Sequence, residues 1–373
     1  MKYLKNTFNT IEKYSTDHPN IFLGVAALLY IATIVAALAY ANRLVFDFLP
    51  NAEIFKTRGV LTLKESLIRY DTVHYINIAR DGYSTATTAF FPLYLMLIRL
   101  VNSVSGLSYQ WASLAVGWSA LVAAVIVLYK WAKLELNERK IKIPAMELLG
   151  LLAIFPTAFY FALGYTESLF LFLSVWSIYL YKKDSYLAAG LVAGLATATR
   201  VHGLILLAYF AADIFFSGKI RQWRNYIPII IGSSGIIFYM AFLWNKFGTP
   251  FQFILAQREW GRLSGNFIAN FISTATPVDV WYIAVYVFGL IGVWKYLNKP
   301  YFIYCLLFGL LSLFSGRVDS FGRYMIIIAP LFLGLILLAH KEAPKQVRLL
   351  YIVSSAFLLG WSILLFANGY WVA

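Results

Sequence analysis

Five stretches of this chain gather side chains able to move protons or hold anions: RYDTVHYINIARDGY (69–83), GYTES (164–168), ATRVHG (198–203), AQREWGR (256–262) and SFGRY (320–324). The rest of the sequence is dominated by Leu, Ile, Phe and Ala. Asp71 is the carboxylate best placed for general-base chemistry, since a helix over 70–80 would set Asp71, His74 and Tyr75 on one face through i+3 and i+4 spacing, with Ile76 and Ala79 toward lipid or core. The same residue would also serve as an ordinary helix cap. Glu167 reads either as a turn residue or as the group that orients an acceptor hydroxyl or a partner arginine. Arg200 and His202 either snorkel to the membrane interface or line a site. Arg323 and Tyr324, preceded by Arg317 and Asp319, read similarly. In AQREWGR, a helix would place Arg258 and Arg262 one turn apart beside Gln257, although arginine next to tryptophan also makes an interfacial belt. Guanidinium groups converging beside lipid suit a phosphate, which they bind bidentately while staying charged.

The elements that must position these groups are membrane helices. The chain has 373 residues, 61% of them hydrophobic and 13% charged, against about 25% charged in ordinary soluble domains. Apolar runs recur at 21–41, 109–129, 146–163, 168–181, 186–199, 203–217, 226–244, 281–297, 301–315, 324–340 and 349–367, so about eleven spans are expected. The runs at 168–181 and 186–199 fall short of the ~20 residues that cross a bilayer unaided. The first run lacks the shorter core and small-residue cleavage site of a signal peptide and is read as a retained helix. Lys-rich segments alternate along the chain, which places the N-terminus inside. The outer face then receives a long first loop (42–108), GYTES, TRVHG, a second large loop (245–280) and SGRVDSFGR. The run TATTAFFPLYLMLIRLV fits the alternation only as a surface or re-entrant helix, with Pro92 near its first turn. The inner connections are short and basic, with no second polar constellation expected there. One membrane domain, 1–373, covers the chain.

The formal charge of +14 is spread in short clusters between apolar runs, which excludes a nucleic-acid-binding face. The single cysteine, Cys305, lies in an apolar run and reads as packing. Scattered histidines and carboxylates give no tight metal site, and no cofactor is implied. There is no GxxxxGK or Rossmann fingerprint, so a nucleotide-driven pump and a transferase with a cytosolic nucleotide-sugar site are both disfavoured.

Asp71-Thr72-Val73-His74-Tyr75, Ile78-Ala79, Asp81-Gly82-Tyr83 and Ala89-Phe90-Phe91-Pro92-Leu93-Tyr94 resemble the first-loop signature of the PIG-V family. These are the second mannosyltransferases of glycosylphosphatidylinositol assembly and their prokaryotic relatives. GYTESLF, ATRVHG, AQREWGR and FGRYMIIIAPLF follow in the same order, from roughly residue 20 to 340. Two positions depart from the pattern: Tyr70 stands where the family usually has Trp, and Val201-His202 replace a Ser-Asn pair. The resemblance implies an all-α polytopic bundle of the GT-C class that transfers a sugar, expected to be mannose, from a polyprenyl-phosphate donor to a glycolipid or glycan acceptor on the extracytoplasmic side. A prokaryotic plasma membrane is expected ahead of the endoplasmic reticulum. Asp71 would be the base of an inverting reaction, and Arg200 and Arg323 would stabilise the leaving phosphate. His74 would orient Asp71 or touch the phosphate, and the apolar ledge from Phe90 to Leu97 would guide a lipid chain. A transporter or flippase of a lipid-linked sugar is the alternative, and it requires a matching inner site.

Overall fold

The computed structural model describes residues 17–44, 62–259, 275–313 and 320–372. Among these residues the secondary structure is entirely helical, with no strand. In chain order the helices are α1 (Pro19–Ala41), α2 (Leu63–Leu67), α3 (Asp71–Asp81), α4 (Pro92–Ser105), α5 (Tyr109–Glu138), α6 (Met146–Ala153), α7 (Glu167–Lys182), α8 (Tyr186–Thr197) and α9 (Gly203–Phe216). They continue as α10 (Ile227–Gly232), α11 (Ser234–Phe247), α12 (Gln252–Glu259), α13 (Pro277–Tyr296), α14 (Lys299–Leu313), α15 (Phe321–Met325), α16 (Ala329–Glu342) and α17 (Lys345–Ala367).

Five stretches are long and apolar enough to cross a bilayer: α1, α5, the segment Trp223–Phe247 that includes α10 and α11, α13 and α17. Five such stretches in one chain make this an integral membrane protein. The other runs expected to span are shorter helices. The apolar run 146–163 breaks: α6 stops at Ala153, and a turn of 3-10 helix, Ala158–Ala162, follows. Every residue from Phe155 to Leu171 is buried. Irregular backbone at membrane depth survives only where protein covers it, and here α1, α5, α6, α7 and α17 all pack against the 3-10 turn. The run 324–340 also breaks, into α15 and α16, which puts Arg323 in a short helix of its own.

Local sequence explains the breaks that matter for the site. α4 starts with Pro92 at its first turn and stops at Gly106 in a left-handed conformation, the arrangement expected of a proline start and glycine stop. It is the helix anticipated in the first loop, with Tyr94, Leu95 and Ile98 buried and Met96, Leu100 and Val104 exposed. α13 and α16 approach so closely that a Cβ on Gly292 would sit 2.0 Å from the Gly334 carbonyl oxygen, small residues bringing backbones together as in other membrane bundles. Cys305 is fully buried.

One expectation fails. The end of the bundle opposite GYTES does carry a polar constellation. Glu135 on α5 is fully buried and takes both Lys182 of α7 and Arg139 as ion-pair partners. The Tyr301 hydroxyl donates to it at 2.7 Å, and the Trp131 indole donates to that hydroxyl at 3.0 Å. Basic segments looked like topology markers in the sequence, but Lys182 and Arg139 instead fold back onto a buried carboxylate.

Candidate active site

α3 begins at Asp71, whose carboxylate lies in the first turn, where it complements the helix dipole. It is not the cap: that position belongs to Tyr70, whose side chain makes no capping hydrogen bond. Tyr70 has φ 52° and ψ −119°, and the Thr72 amide donates to the Arg69 carbonyl at 3.2 Å. These angles are those of the first central residue of a type II′ turn, a glycine position, so a tyrosine there holds about 1–3 kcal/mol of backbone strain. The turn is anchored by the buried segment before α7. The Thr72 hydroxyl donates to the Gly164 carbonyl at 3.1 Å and the Tyr165 hydroxyl to the Arg69 carbonyl at 3.1 Å. Gly164 is required at this contact, because a Cβ would lie 2.8 Å from both Thr72 Cγ2 and Ser113 Oγ.

Four charged side chains then meet in one chain of ion pairs. Arg323 reaches Asp71 Oδ2 through Nη2 at 2.7 Å and Glu167 Oε1 through Nε at 2.7 Å. Arg200 Nη1 also reaches Glu167 Oε1 at 2.7 Å, and Thr166 Oγ1 at 2.9 Å. Two cations and two anions cancel, which is how such groups tolerate burial. Tyr160, Tyr165, Tyr324 and Trp371 surround the Arg323 guanidinium at 5.0–5.7 Å, and Tyr324 also lies 5.1 Å from that of Arg200. These aromatic faces stabilise the cations where water is scarce.

The cluster is not uniformly buried. The Asp71 side chain is 21% exposed and that of Arg200 10%, against 4% for Arg323 and 0% for Glu167. Asp71 is therefore the most accessible of the four. The ion pairs use two nitrogens of Arg323 and one of Arg200, leaving further N–H groups of each guanidinium, which carries five. Glu167 Oε2 is buried and has no hydrogen-bond partner among the described residues.

The other expected site residues divide. Tyr75 is buried behind Asp71, its hydroxyl 3.5 Å from Thr166 Oγ1. His74 stacks on Phe90 at 5.3 Å, and burial lowers its proton affinity while nearby Asp71 opposes that shift. His202 is buried in an aromatic stack, 4.5 Å from Phe308 and 5.1 Å from Tyr324. Ile76 and Ala79 face the core. Gln257 and Arg258 stand at the end of α12 and bond to none of Asp71, Glu167, Arg200 and Arg323. Arg262, Arg317 and Asp319 lie outside the described residues. Thr166, Tyr160, Tyr165 and Trp371 are further members of the site that sequence reasoning does not name individually. Tyr165 and Thr166 precede Glu167 within GYTES, but nothing at the sequence level ties Trp371 to Arg323.

Several known proteins are similar. GPI mannosyltransferase 2 of Yarrowia lipolytica is 26% identical over 197 residues, 52% of this chain and 53% of that protein. GPI alpha-1,6-mannosyltransferase 2 of Mus musculus is 31% identical over 150 residues, 38% of this chain and 30% of its own length. The matches thus span about half, or less, of these relatives. Among solved structures, the archaeal oligosaccharyltransferase AglB from Archaeoglobus fulgidus, in complex with an inhibitory peptide and a dolichol-phosphate, superposes with a TM-score of 0.46 at 12% identity, over 96% of this chain and 57% of that one. The family model of the mannosyltransferases (PIG-V) matches residues 25–236, a segment that contains Asp71, Glu167 and Arg200. Because that match takes in more than half of the sequence, the chain belongs to the mannosyltransferase (PIG-V) family.

Proposed function

We propose that this protein is a GT-C-type mannosyltransferase that takes mannose from a polyprenyl-phosphate donor and passes it to a hydroxyl of a glycolipid or glycan acceptor on the extracytoplasmic side, with Asp71 as base. The observation that carries this reading is the Asp71–Arg323 ion pair, in which the carboxylate is the most exposed member of an otherwise buried charge chain. In the resting site Arg323 holds Asp71 by a charge-assisted contact. A donor phosphate competes for the same guanidinium, which turns its N–H groups toward the phosphate oxygens and releases the carboxylate. Asp71 then takes the proton of the acceptor hydroxyl as its oxygen attacks the anomeric carbon. The bond from that carbon to the phosphate oxygen breaks, the electron pair leaves with the phosphate, and the configuration inverts from β to α. Arg323, backed by Arg200, meets the charge that develops on the leaving group, which a preorganised dipole or cation does without reorganisation cost. Glu167 keeps both guanidiniums in place.

One observation favours the transporter alternative: the Glu135 constellation at the far end of α7, about 22 Å from Glu167 by helix rise. That carboxylate is already compensated by Lys182, Arg139 and Tyr301, which supports a structural role over a second substrate station. The experiment is to supply the purified protein with radiolabelled polyprenyl-phosphate mannose and membrane lipid extract. Transfer of label to a new product supports the enzyme reading. Donor crossing a sealed vesicle without being consumed would replace it with the transporter.

A further inference from the structure

We infer that the segment from Phe366 to Val372 is a strap that positions the Asp71 carboxylate, acting through Arg69 and Tyr70, and this rests on the reading of Asp71 as base. The strap begins where α17 ends in a Schellman motif. The Tyr370 amide donates to the Leu365 carbonyl at 3.0 Å and the Gly369 amide to the Phe366 carbonyl at 3.1 Å, with Gly369 at φ 88°. This pattern reverses the chain at a helix end and requires the left-handed residue glycine supplies. The reversal sends Gly369 to Val372 back across the site.

Once reversed, the strap grips the strained turn from the outside. The Tyr70 hydroxyl donates to the Gly369 carbonyl at 2.7 Å, and Arg69 Nη1 donates to the Phe366 carbonyl at 2.6 Å. The Tyr70 ring stands edge-on to Phe366 at 5.6 Å and to Trp371 at 4.9 Å. From its other side the strap reaches the arginine: Trp371 lies 5.7 Å from the Arg323 guanidinium, and Tyr160, which also faces that guanidinium, donates its hydroxyl to the Val372 carbonyl. Arg323 and the two residues that precede Asp71 therefore contact one short segment nearly 300 residues away in sequence. A tyrosine at a glycine position persists only where surrounding contacts over-determine it, and the strap adds the Tyr70 and Arg69 side-chain contacts to the anchoring that Gly164 and Tyr165 give the backbone. Arg69 and Tyr70 are positioning residues: neither is needed for charge compensation in the cluster, and each ties the backbone beside Asp71 to the strap.

The test is Tyr70→Phe, which keeps the ring and removes the hydroxyl, compared with Tyr70→Trp, whose indole N–H can donate in its place. On the folded, monodisperse fraction, Tyr70→Phe is expected to lower kcat about tenfold with donor KM unchanged, as for loss of one hydrogen bond that sets reactive geometry. Tyr70→Trp is expected to recover most of that loss. Hydrogen exchange at the Thr72 amide, which closes the turn, should quicken by about tenfold in Tyr70→Phe. Wild-type kcat and unchanged Thr72 exchange in Tyr70→Phe would overturn the strap. Faster exchange in Tyr70→Phe together with full activity in Asp71→Asn would leave the strap standing and remove Asp71 as base, so the two failures are distinguishable.

Discussion

Arg323 holds Asp71 at 2.7 Å while the same guanidinium holds Glu167 at 2.7 Å. The carboxylate proposed as base and the carboxylate that never reaches solvent thus share one cation. In the proposed reaction a phosphate that takes Nη2 frees Asp71 while Nε stays on Glu167, and several outcomes follow from that arrangement.

Replacing Glu167 by Gln leaves Arg200 and Arg323 facing a single partly exposed carboxylate. Breaking a buried pair by removing one partner costs about 3–5 kcal/mol. Glu167→Gln is therefore expected to lower the thermal unfolding midpoint sharply in detergent, read by tryptophan fluorescence. A midpoint equal to that of the wild type would contradict the compensating role given to Glu167.

Arg323→Lys keeps the charge but cannot span two carboxylates and offer donors to a phosphate at once. Donor KM is expected to rise by about tenfold or more, the loss of one charge-assisted contact, with a smaller change in acceptor KM. Initial rates over a donor series decide it. An unchanged donor dependence would remove Arg323 from phosphate binding.

His74 provides the pH dependence. Burial lowers its proton affinity in the folded protein, so the unfolded chain binds more protons at acid pH, and stability must fall as pH drops below the ordinary histidine value of about 6.5. His74→Phe, which preserves the stack on Phe90, is expected to flatten that fall. Unfolding midpoints measured from about pH 7.5 to about pH 5.5 for both proteins provide the check, and parallel curves would show that His74 does not contribute.

The Glu135 constellation predicts a separation of stability from chemistry. Glu135→Gln is expected to destabilise the bundle while transfer per folded molecule stays within about twofold, since distant sites act independently. A selective loss of turnover in a stably folded Glu135→Gln protein would point to coupling between the two ends of α7 and favour the transport reading.

Much of the site was legible because its motifs are short and local. Asp71, Glu167, Arg200 and Arg323 each sit in a polar run that interrupts apolar sequence, and ionisable groups at membrane depth must find one another. What was hidden depends on long-range geometry. A partner arginine for Glu167 was one of two readings open in the sequence, but that both arginines would share Glu167, and Arg323 would also hold Asp71, was not legible. That His202 stacks on Phe308 and lies beside Tyr324 was likewise not readable from ATRVHG. The first-loop helices α3 and α4 followed from i+4 spacing and Pro92; the break after Ala153 also has a local cause in Pro156, which cannot donate to the carbonyl one turn back, but the apolar residues around it read as one continuous span. The role of the residues after α17 was invisible as well: Asn368-Gly369 announces a helix stop, but nothing local says that the reversed chain lands on Tyr70.

The central claim is that Asp71 removes the acceptor proton, and Asp71→Asn tests it most directly, because asparagine keeps the size of the side chain and cannot act as the base. The measurement is label transfer from polyprenyl-phosphate mannose by equal amounts of folded wild-type and Asp71→Asn protein, with donor binding measured alongside. Transfer is expected to fall by about 10²–10⁴-fold while donor binding persists. Transfer by Asp71→Asn at close to the wild-type rate would contradict the account.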